Sequence, residues 1–209
     1  MNESKHIKLN EEKWDKWAES ADGKGKMFEY LRRAQKEVIS LIDLKENMHF
    51  LDIGCGTGWA VGQAALCVEN NGTFYGVDMS PRMIEKAIAN FKDRSNFRFI
   101  RSSAESIPLE DNLFDIIICT NSFHHYLHPA KAMKEIFRLL KVGGKIYILD
   151  PTSDFWLVKV IDIIIKLIEP QHVKIYSSKE FKELMLGAGL KYKGYEIVKP
   201  QQKVQIGEK

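Results

Sequence analysis

Three glycines at alternate positions form the most informative motif of the chain. Gly54, Gly56 and Gly58 follow the apolar segment 49–53 and precede a helical segment. Glycine lets the backbone turn tightly and lets a ligand approach without interference from a Cβ atom. The helix that follows points free N–H groups and its positive dipole end into the same crevice. This strand, glycine loop and helix predict a ligand site at the carboxyl edge of a parallel sheet.

An aspartate, Asp78, ends the next predicted strand. A carboxylate at that position can accept two hydrogen bonds from a ribose diol. The alternative is that Asp78 caps the helix that starts at Pro81, but Ser80 suits that role better. Asp78 therefore predicts a nucleoside ligand. It does not choose between nicotinamide and adenosyl cofactors, since both use such a carboxylate.

The glycine spacing argues against a dinucleotide site. The dinucleotide fingerprint G-x-G-x-x-G/A needs a small third residue so that helix and strand can pack closely. Trp59 stands at that position, and the actual spacing is G-x-G-x-G with Asp52 immediately before the loop. A nicotinamide-dependent oxidoreductase remains an alternative that Trp59 disfavours. A purely structural turn is disfavoured by the downstream aspartate.

Histidines supply the candidate bases. His124 and His125 follow the apolar segment 114–120 and should face the same crevice, where an imidazole can accept a proton near neutral pH. Tyr126 and His172 are further candidates, and His172 should lie over the same rim. We expect His124 and His172 to be catalytic. The alternatives are a helix cap and a packed side chain for the pair, and an exposed loop position for His172.

Aromatic side chains on two helical segments predict a lid. Trp14 and Trp17 lie one turn apart, and Phe155 and Trp156 open the helix predicted over 154–169. Together with His125, they would contact an apolar or aromatic substrate. Alternatively, they only attach the helices to the core. The second helix could also form a dimer seam or rest on a membrane, although it lacks the strongly basic face of a membrane-surface helix.

Short apolar segments alternate with helical ones, and this rhythm predicts a parallel α/β sheet covered by helices on both faces. The predicted strands are 49–53, 73–78, 97–100, 114–120 and 145–150, followed by an antiparallel pair, 192–198 and 203–207, separated by Pro200. The predicted helices are 10–20, 27–43, 58–68, 81–93, 129–141, 154–169 ending at Pro170, and one from Ser177-Ser178 to Gly187 with Glu180 in a capping interaction. Gly143-Gly144 should end the helix before the fifth strand.

The length of 209 residues fits one domain. We divide it into an N-terminal helical flap (1–47), a cofactor-binding core (48–150), an inserted helix or lid (151–176), and a last helix with edge strands (177–209).

Composition restricts the class of protein. The chain is 44% hydrophobic and 28% charged, as globular proteins are, and its net charge of +3 is scattered, which argues against a nucleic-acid partner. Cys55, Cys67 and Cys119 match no zinc spacing, so we expect reduced thiols and no metal.

The N-terminus is polar, without a signal-peptide core, and the longest apolar stretch, 155–168, is too short and too charged to span a bilayer. We expect a cytoplasmic protein without stable membrane insertion.

Several blocks in fixed order resemble the class I S-adenosylmethionine-dependent methyltransferases, most closely the small-molecule group with ubiquinone/menaquinone-type enzymes. The blocks are LDIGCGTG, GVDMSPRMIEKA, SAESIPLEDNLFDIIICTNSFHHYLHP, EIFRLLKVGGKIYILD and SSKEFKELMLGAGL. The resemblance implies a doubly wound, seven-stranded, mostly parallel Rossmann-like sheet whose last strand is antiparallel. It also implies S-adenosylmethionine as cofactor and S-adenosylhomocysteine as product.

The resemblance assigns roles to residues. Asp78 would hold the ribose, with Met79 packed against the adenine. The residues implied around the methionine part are Asp52, Gly54, Cys55, Gly56, Gly58 and Asn121, and those at the adenine edge are Ser103, Ala104 and Glu105. Two positions depart from the family pattern. Ser103 stands where an aspartate is usual and can accept one hydrogen bond, and Val142 replaces the proline of a Lys-Pro-Gly-Gly turn.

Methyl transfer from a sulfonium is an in-line displacement, so the protein mainly aligns the reactants and excludes water. A base is needed only where the acceptor must lose a proton. We expect a methyltransferase acting on a small molecule, with a homodimer possible. The alternative that is not an enzyme is a regulatory protein or partner subunit that binds S-adenosylmethionine without transferring its methyl group. RNA methylation is a weaker alternative, because Asn121-Ser-Phe-His stands where an Asn/Asp-Pro-Pro-aromatic motif would be.

Overall fold

The computed structural model describes residues 3–20, 25–169, 172–199 and 201–209. They form a seven-stranded sheet in the order β3-β2-β1-β4-β5-β7-β6. The strands are β1 (Met48–Ile53), β2 (Gly72–Asp78), β3 (Phe97–Arg101), β4 (Phe114–Thr120), β5 (Leu140–Pro151), β6 (Lys191–Lys199) and β7 (Gln202–Glu208). Strands β1 to β5 pair in parallel, whereas β7 is antiparallel to both of its neighbours. The predicted doubly wound sheet with an antiparallel last strand is confirmed.

Helices surround this sheet. They are α1 (Glu3–Ser20), α2 (Lys26–Ser40), α3 (Trp59–Cys67), α4 (Pro81–Asn90), α5 (Pro129–Leu139), α6 (Trp156–Ile168) and α7 (Ser178–Gly187), with a 3₁₀ turn at Phe123–His125. The side chain of Ser80 caps α4 by accepting from the N–H of Met83 at 3.1 Å. Ser177 and Glu180 form the predicted capping box of α7. Pro170 and Pro200, which we expected to end a helix and to separate two strands, lie outside the described residues.

The two largest errors in the predicted boundaries lie at α1 and β5. Helix α1 begins at Glu3 rather than at residue 10, because its buried face includes the polar residues His6 and Asn10, which apolar periodicity does not detect. Their side chains hydrogen-bond at 2.9 Å. Strand β5 begins at Leu140, so Gly143-Gly144 lies inside an irregular strand and does not precede it.

Alternate residues of the central strands form two apolar cores on opposite faces of the sheet. Leu51 and Ile117 pack with α5 and α7, whereas Phe50 and Ile116 pack with α2 and α3. Successive side chains of a strand point to opposite faces of the sheet, so neighbouring residues enter different cores. Helices cover both faces, as is usual for a parallel sheet. The carboxyl ends of the strands remain as the place for a ligand. Within the described ranges, no helix is long and apolar enough to cross a membrane.

Candidate active site

A cavity of about 590 Å³ lies at the carboxyl ends of β1, β2 and β4. Its walls come from the loops after these strands, from α1 and α2, and from single residues of α6 and β7. A side-chain hydrogen bond and an ion pair fix helix α1 at the cavity. Asp15 accepts from the hydroxyl of Ser80 at 2.6 Å, and Glu11 pairs with Arg101. The volume is in the range of cofactor and small-molecule sites.

The glycine loop forms one wall of the cavity. Gly54, Gly56 and Gly58 have φ angles of 80°, 53° and 80°, in the left-handed region where glycine is favoured. A Cβ atom at Gly54 would lie 2.4 Å from Oγ of Ser122. Gly54, Cys55 and Gly56 line the cavity. Gly58 is buried before α3 and is not among the described lining residues, and a Cβ there would lie 2.9 Å from the ring of Phe99.

The carboxylate of Asp78 is fixed at the cavity wall. One oxygen accepts from the N–H of Gly56 and the other from the N–H of Ser80, both at 2.9 Å. Burial raises the pKa of Asp78, and these backbone hydrogen bonds oppose the rise. The carboxylate keeps further acceptor capacity, which is what a ribose diol needs. Met79 lines the cavity beside it.

Asp52 lies beneath the glycine loop and is fully buried. Among the described residues, neither of its carboxylate oxygens has a hydrogen-bond partner. Burial, and then the charge of Asp78, raise the pKa of Asp52 to about 8. A buried carboxylate without partners is costly when ionised, which is why the protonated form of Asp52 is favoured.

The predicted adenine-edge residues also line the cavity. Oγ of Ser103 accepts from the N–H of Glu105 at 3.2 Å, and the carboxylate of Glu105 accepts from the N–H of His128 at 2.9 Å. The second bond ties this turn to the start of α5. Ala104 lies between Ser103 and Glu105 in the turn and is almost fully buried.

Two polar side chains that were not predicted from the sequence, Gln202 and Gln35, bond to Asn121 and to its neighbour Thr120. Oδ1 of Asn121 accepts from Nε2 of Gln202 at 2.9 Å, while its buried Nδ2 has no partner in the described part of the chain. Gln35 donates to Oγ1 of Thr120 at 3.0 Å. All four residues line the cavity. No sequence signal identifies Gln202, because only the position of β7 beside β5 brings it to Asn121.

Aromatic side chains form the remaining wall. The rings of Trp14 and Trp17 meet edge to face at 5.6 Å, and Trp17 contacts Phe28 at 5.2 Å. These three line the cavity, but the described lining residues do not include Phe155 or Trp156. Trp156 is 75% exposed. The structure therefore brings the predicted aromatic residues of α1 to the site and leaves those at the start of α6 outside it.

Three histidines lie together at the rim. Nδ1 of His124 is 2.8 Å from Asp150, and Nε2 of His172 is 2.7 Å from Asp162. His124 and His125 line the cavity, whereas His172 is buried and is not among the described lining residues. Burial lowers the pKa of His125 well below its ordinary value, and the neighbouring His124 lowers it further. An imidazole in this position can exchange a proton or bind a ligand.

Tyr126 is a poor candidate for a base. Its hydroxyl lies 2.9 Å from Oγ of Ser122 and 3.4 Å from Sγ of Cys119. Burial raises the pKa of Tyr126 well above its ordinary value, so the hydroxyl stays protonated at neutral pH.

A sequence profile described as a methyltransferase domain matches residues 44–196, which is most of the chain and includes the glycine loop and the loops after β2 and β4. The chain belongs to this methyltransferase family. The predicted family resemblance is thereby confirmed.

Relatives agree with this assignment. The chain is 31% identical over 159 residues to the uncharacterized methyltransferase YcgJ of Bacillus subtilis, covering 74% of this chain and 62% of that protein. It is 27% identical over 176 residues to the demethylmenaquinone methyltransferase of Staphylococcus aureus, covering 82% and 73%. Several other curated relatives are matched over only 40% to 56% of their length.

The fold is shared with a solved S-adenosylmethionine-dependent methyltransferase of Aquifex aeolicus. The TM-score is 0.67 at 22% identity, covering 83% of this chain and 88% of that one. At this level of identity, the likeness to this methyltransferase concerns the fold, which here is the seven-stranded sheet with helices on both faces.

Proposed function

We propose that this chain transfers a methyl group from S-adenosylmethionine to a small aromatic acceptor. The observation that carries the proposal is the continuity of the cavity. It runs from a nucleoside end at Asp78 past the glycine loop to an aromatic wall at Trp14 and Trp17.

The charges around the loop favour a cationic cofactor. Asp52, which is fully buried, and Asp78, which is partly buried, lie beside it, and desolvation raises the pKa of each. The sulfonium and ammonium groups of S-adenosylmethionine would favour the ionised form of Asp52. The unpartnered Nδ2 of Asn121 can donate to the carboxylate of the methionine part.

The acceptor would lie against the aromatic wall, with its polar group toward the histidines. Edge-to-face packing on Trp14 suits a flat ring. The relative named demethylmenaquinone methyltransferase supports an acceptor of this class.

The acceptor atom attacks the methyl carbon as the carbon–sulfur bond breaks, which leaves S-adenosylhomocysteine. Where the acceptor must lose a proton, that proton would leave at the end of the cavity where His124 and His125 lie. The catalytic role expected for His172 stays a prediction.

Calorimetric binding of S-adenosylhomocysteine, with NAD and NADP as controls, tests the cofactor. Asp78→Ala should weaken binding about tenfold or more, since a hydrogen bond to a charged group contributes about 1.5–3 kcal/mol. The exposed Asp93→Ala is the matched control and should bind as the wild type does. Thermal melts of both variants check that they fold. Preference for NAD or NADP, or unchanged affinity in Asp78→Ala, would refute the proposal.

A further inference from the structure

Three imidazoles converge at the rim of the cavity. One ring nitrogen each of His124, His125 and His172 lies within 4.8 Å of those of the other two. The ring centroids of His124 and His125 are 4.0 Å apart, and that of His172 is 5.7 Å from His124. This spacing leaves room for one ion between the three rings.

Two of the rings are oriented by carboxylates. Asp150 holds Nδ1 of His124 and also accepts from its backbone N–H at 2.8 Å. Asp162 holds Nε2 of His172 and accepts from the N–H of Ile175 at 2.8 Å. The opposite nitrogens, Nε2 of His124 and Nδ1 of His172, can then bind a ligand. A carboxylate behind a histidine is the usual support of a metal-binding imidazole.

The third ring has an unused nitrogen. Nδ1 of His125 is buried and has no hydrogen-bond partner among the residues that the structure describes. Its ring is held by an edge-to-face contact with Trp14 at 5.2 Å. Buried polar atoms without partners are rare and point to a missing ligand.

The charges fit a divalent cation. Asp150 and Asp162 supply negative charge behind two of the rings, and Lys166 pairs with the other oxygen of Asp162 at 2.8 Å. Lys13, a cation beside the cavity, is paired with Glu169 at 2.5 Å.

We propose that His124, His125 and His172 bind one zinc(II) ion whose fourth position opens on the cavity. Zinc–nitrogen bonds of about 2.0–2.1 Å require the three nitrogens to draw closer by small side-chain rotations. This proposal departs from the sequence-based expectation of no metal. The role of the ion rests on the proposed function: a hydroxyl or thiol of the acceptor would bind the ion and release its proton to solvent, and the resulting anion would attack the methyl carbon.

Equilibrium binding of Zn²⁺ to the full chain, with Co²⁺ as a spectroscopic probe, tests the site. We expect one ion per chain and the visible absorption of four-coordinate Co²⁺. His125→Phe keeps a ring packed on Trp14 and should abolish this band. Asp162→Asn, which does not touch the ion, should lower affinity about 10–100-fold. His49→Gln, at the opposite end of β1, is the control and should bind normally.

Thermal melts without metal establish that each variant folds. Absence of Zn²⁺ binding, or equal binding by His125→Phe, would overturn the proposal and leave the cluster as a metal-free proton acceptor. S-adenosylhomocysteine binding is measured separately, so failure of the metal site and failure of the cofactor site are distinguishable.

Discussion

Gly54 and Gly143 have almost the same φ, 80° and 81°, but only Gly54 faces a close neighbour. A Cβ at Gly54 would collide with the side chain of Ser122, whereas a Cβ at Gly143 would meet no described atom within 4 Å. Alanine substitutions at the two positions therefore distinguish the effect of backbone strain, which both would have, from the effect of a steric clash, which only Gly54 would have.

Gly143→Ala should lower the free energy of unfolding by about 1–2 kcal/mol, the cost of a left-handed alanine. Gly54→Ala should cost more and should also abolish S-adenosylhomocysteine binding, because Ser122 must move. Urea denaturation and calorimetry measure the two effects. Equal stability losses with binding retained in Gly54→Ala would contradict this account.

Asp52 predicts a pH dependence of stability. Its pKa is about 8 in the folded chain against an ordinary value of 3.8. Between these values the folded state holds a proton that the unfolded state has lost, so the free energy of unfolding falls as pH rises through this window. Asp52→Asn should remove this fall, which amounts to roughly several kcal/mol. Urea denaturation of both proteins across the window checks the sign, and an identical slope in the two proteins would count against it.

At the scale of elements, the strands and the helices that cover them could be predicted because apolar residues recur with the right period. The start of α1 could not, because His6 and Asn10 form part of its buried face. The two predicted aromatic pairs also differ in placement. Trp14 and Trp17 reach the cavity, whereas Trp156 is largely exposed, since periodicity indicates that a helix is amphipathic but not where it lies.

Two residues of helix α6, one exposed and one buried, can be used to test how burial affects stability. Leu167 is 80% exposed and Val158 is 8% exposed on the same helix. Leu167→Lys should change the free energy of unfolding by no more than about 0.5 kcal/mol. Val158→Ala should lower it by about 1–2 kcal/mol, because buried methyl groups are lost. Urea denaturation compares them, and a large loss in Leu167→Lys would show that this face is covered.

At the scale of the whole molecule, the order of the strands decides which residues meet. Asp78 and the glycine loop could be predicted because they lie on neighbouring strands of one repeating unit. Gln35 and Gln202 could not, since they reach Thr120 and Asn121 only through the packing of α2 and the position of β7.

Strand β7 lies between β5 and β6, although β6 precedes it in the chain. During synthesis, β6 therefore emerges before the strand that joins it to the sheet. The edge of β5 gains its native partner only once β7 has been made. Since Gln202 arrives with β7, its bond to Asn121 forms late. A nascent chain arrested before this point would hold the glycine loop but lack the contact that fixes Asn121.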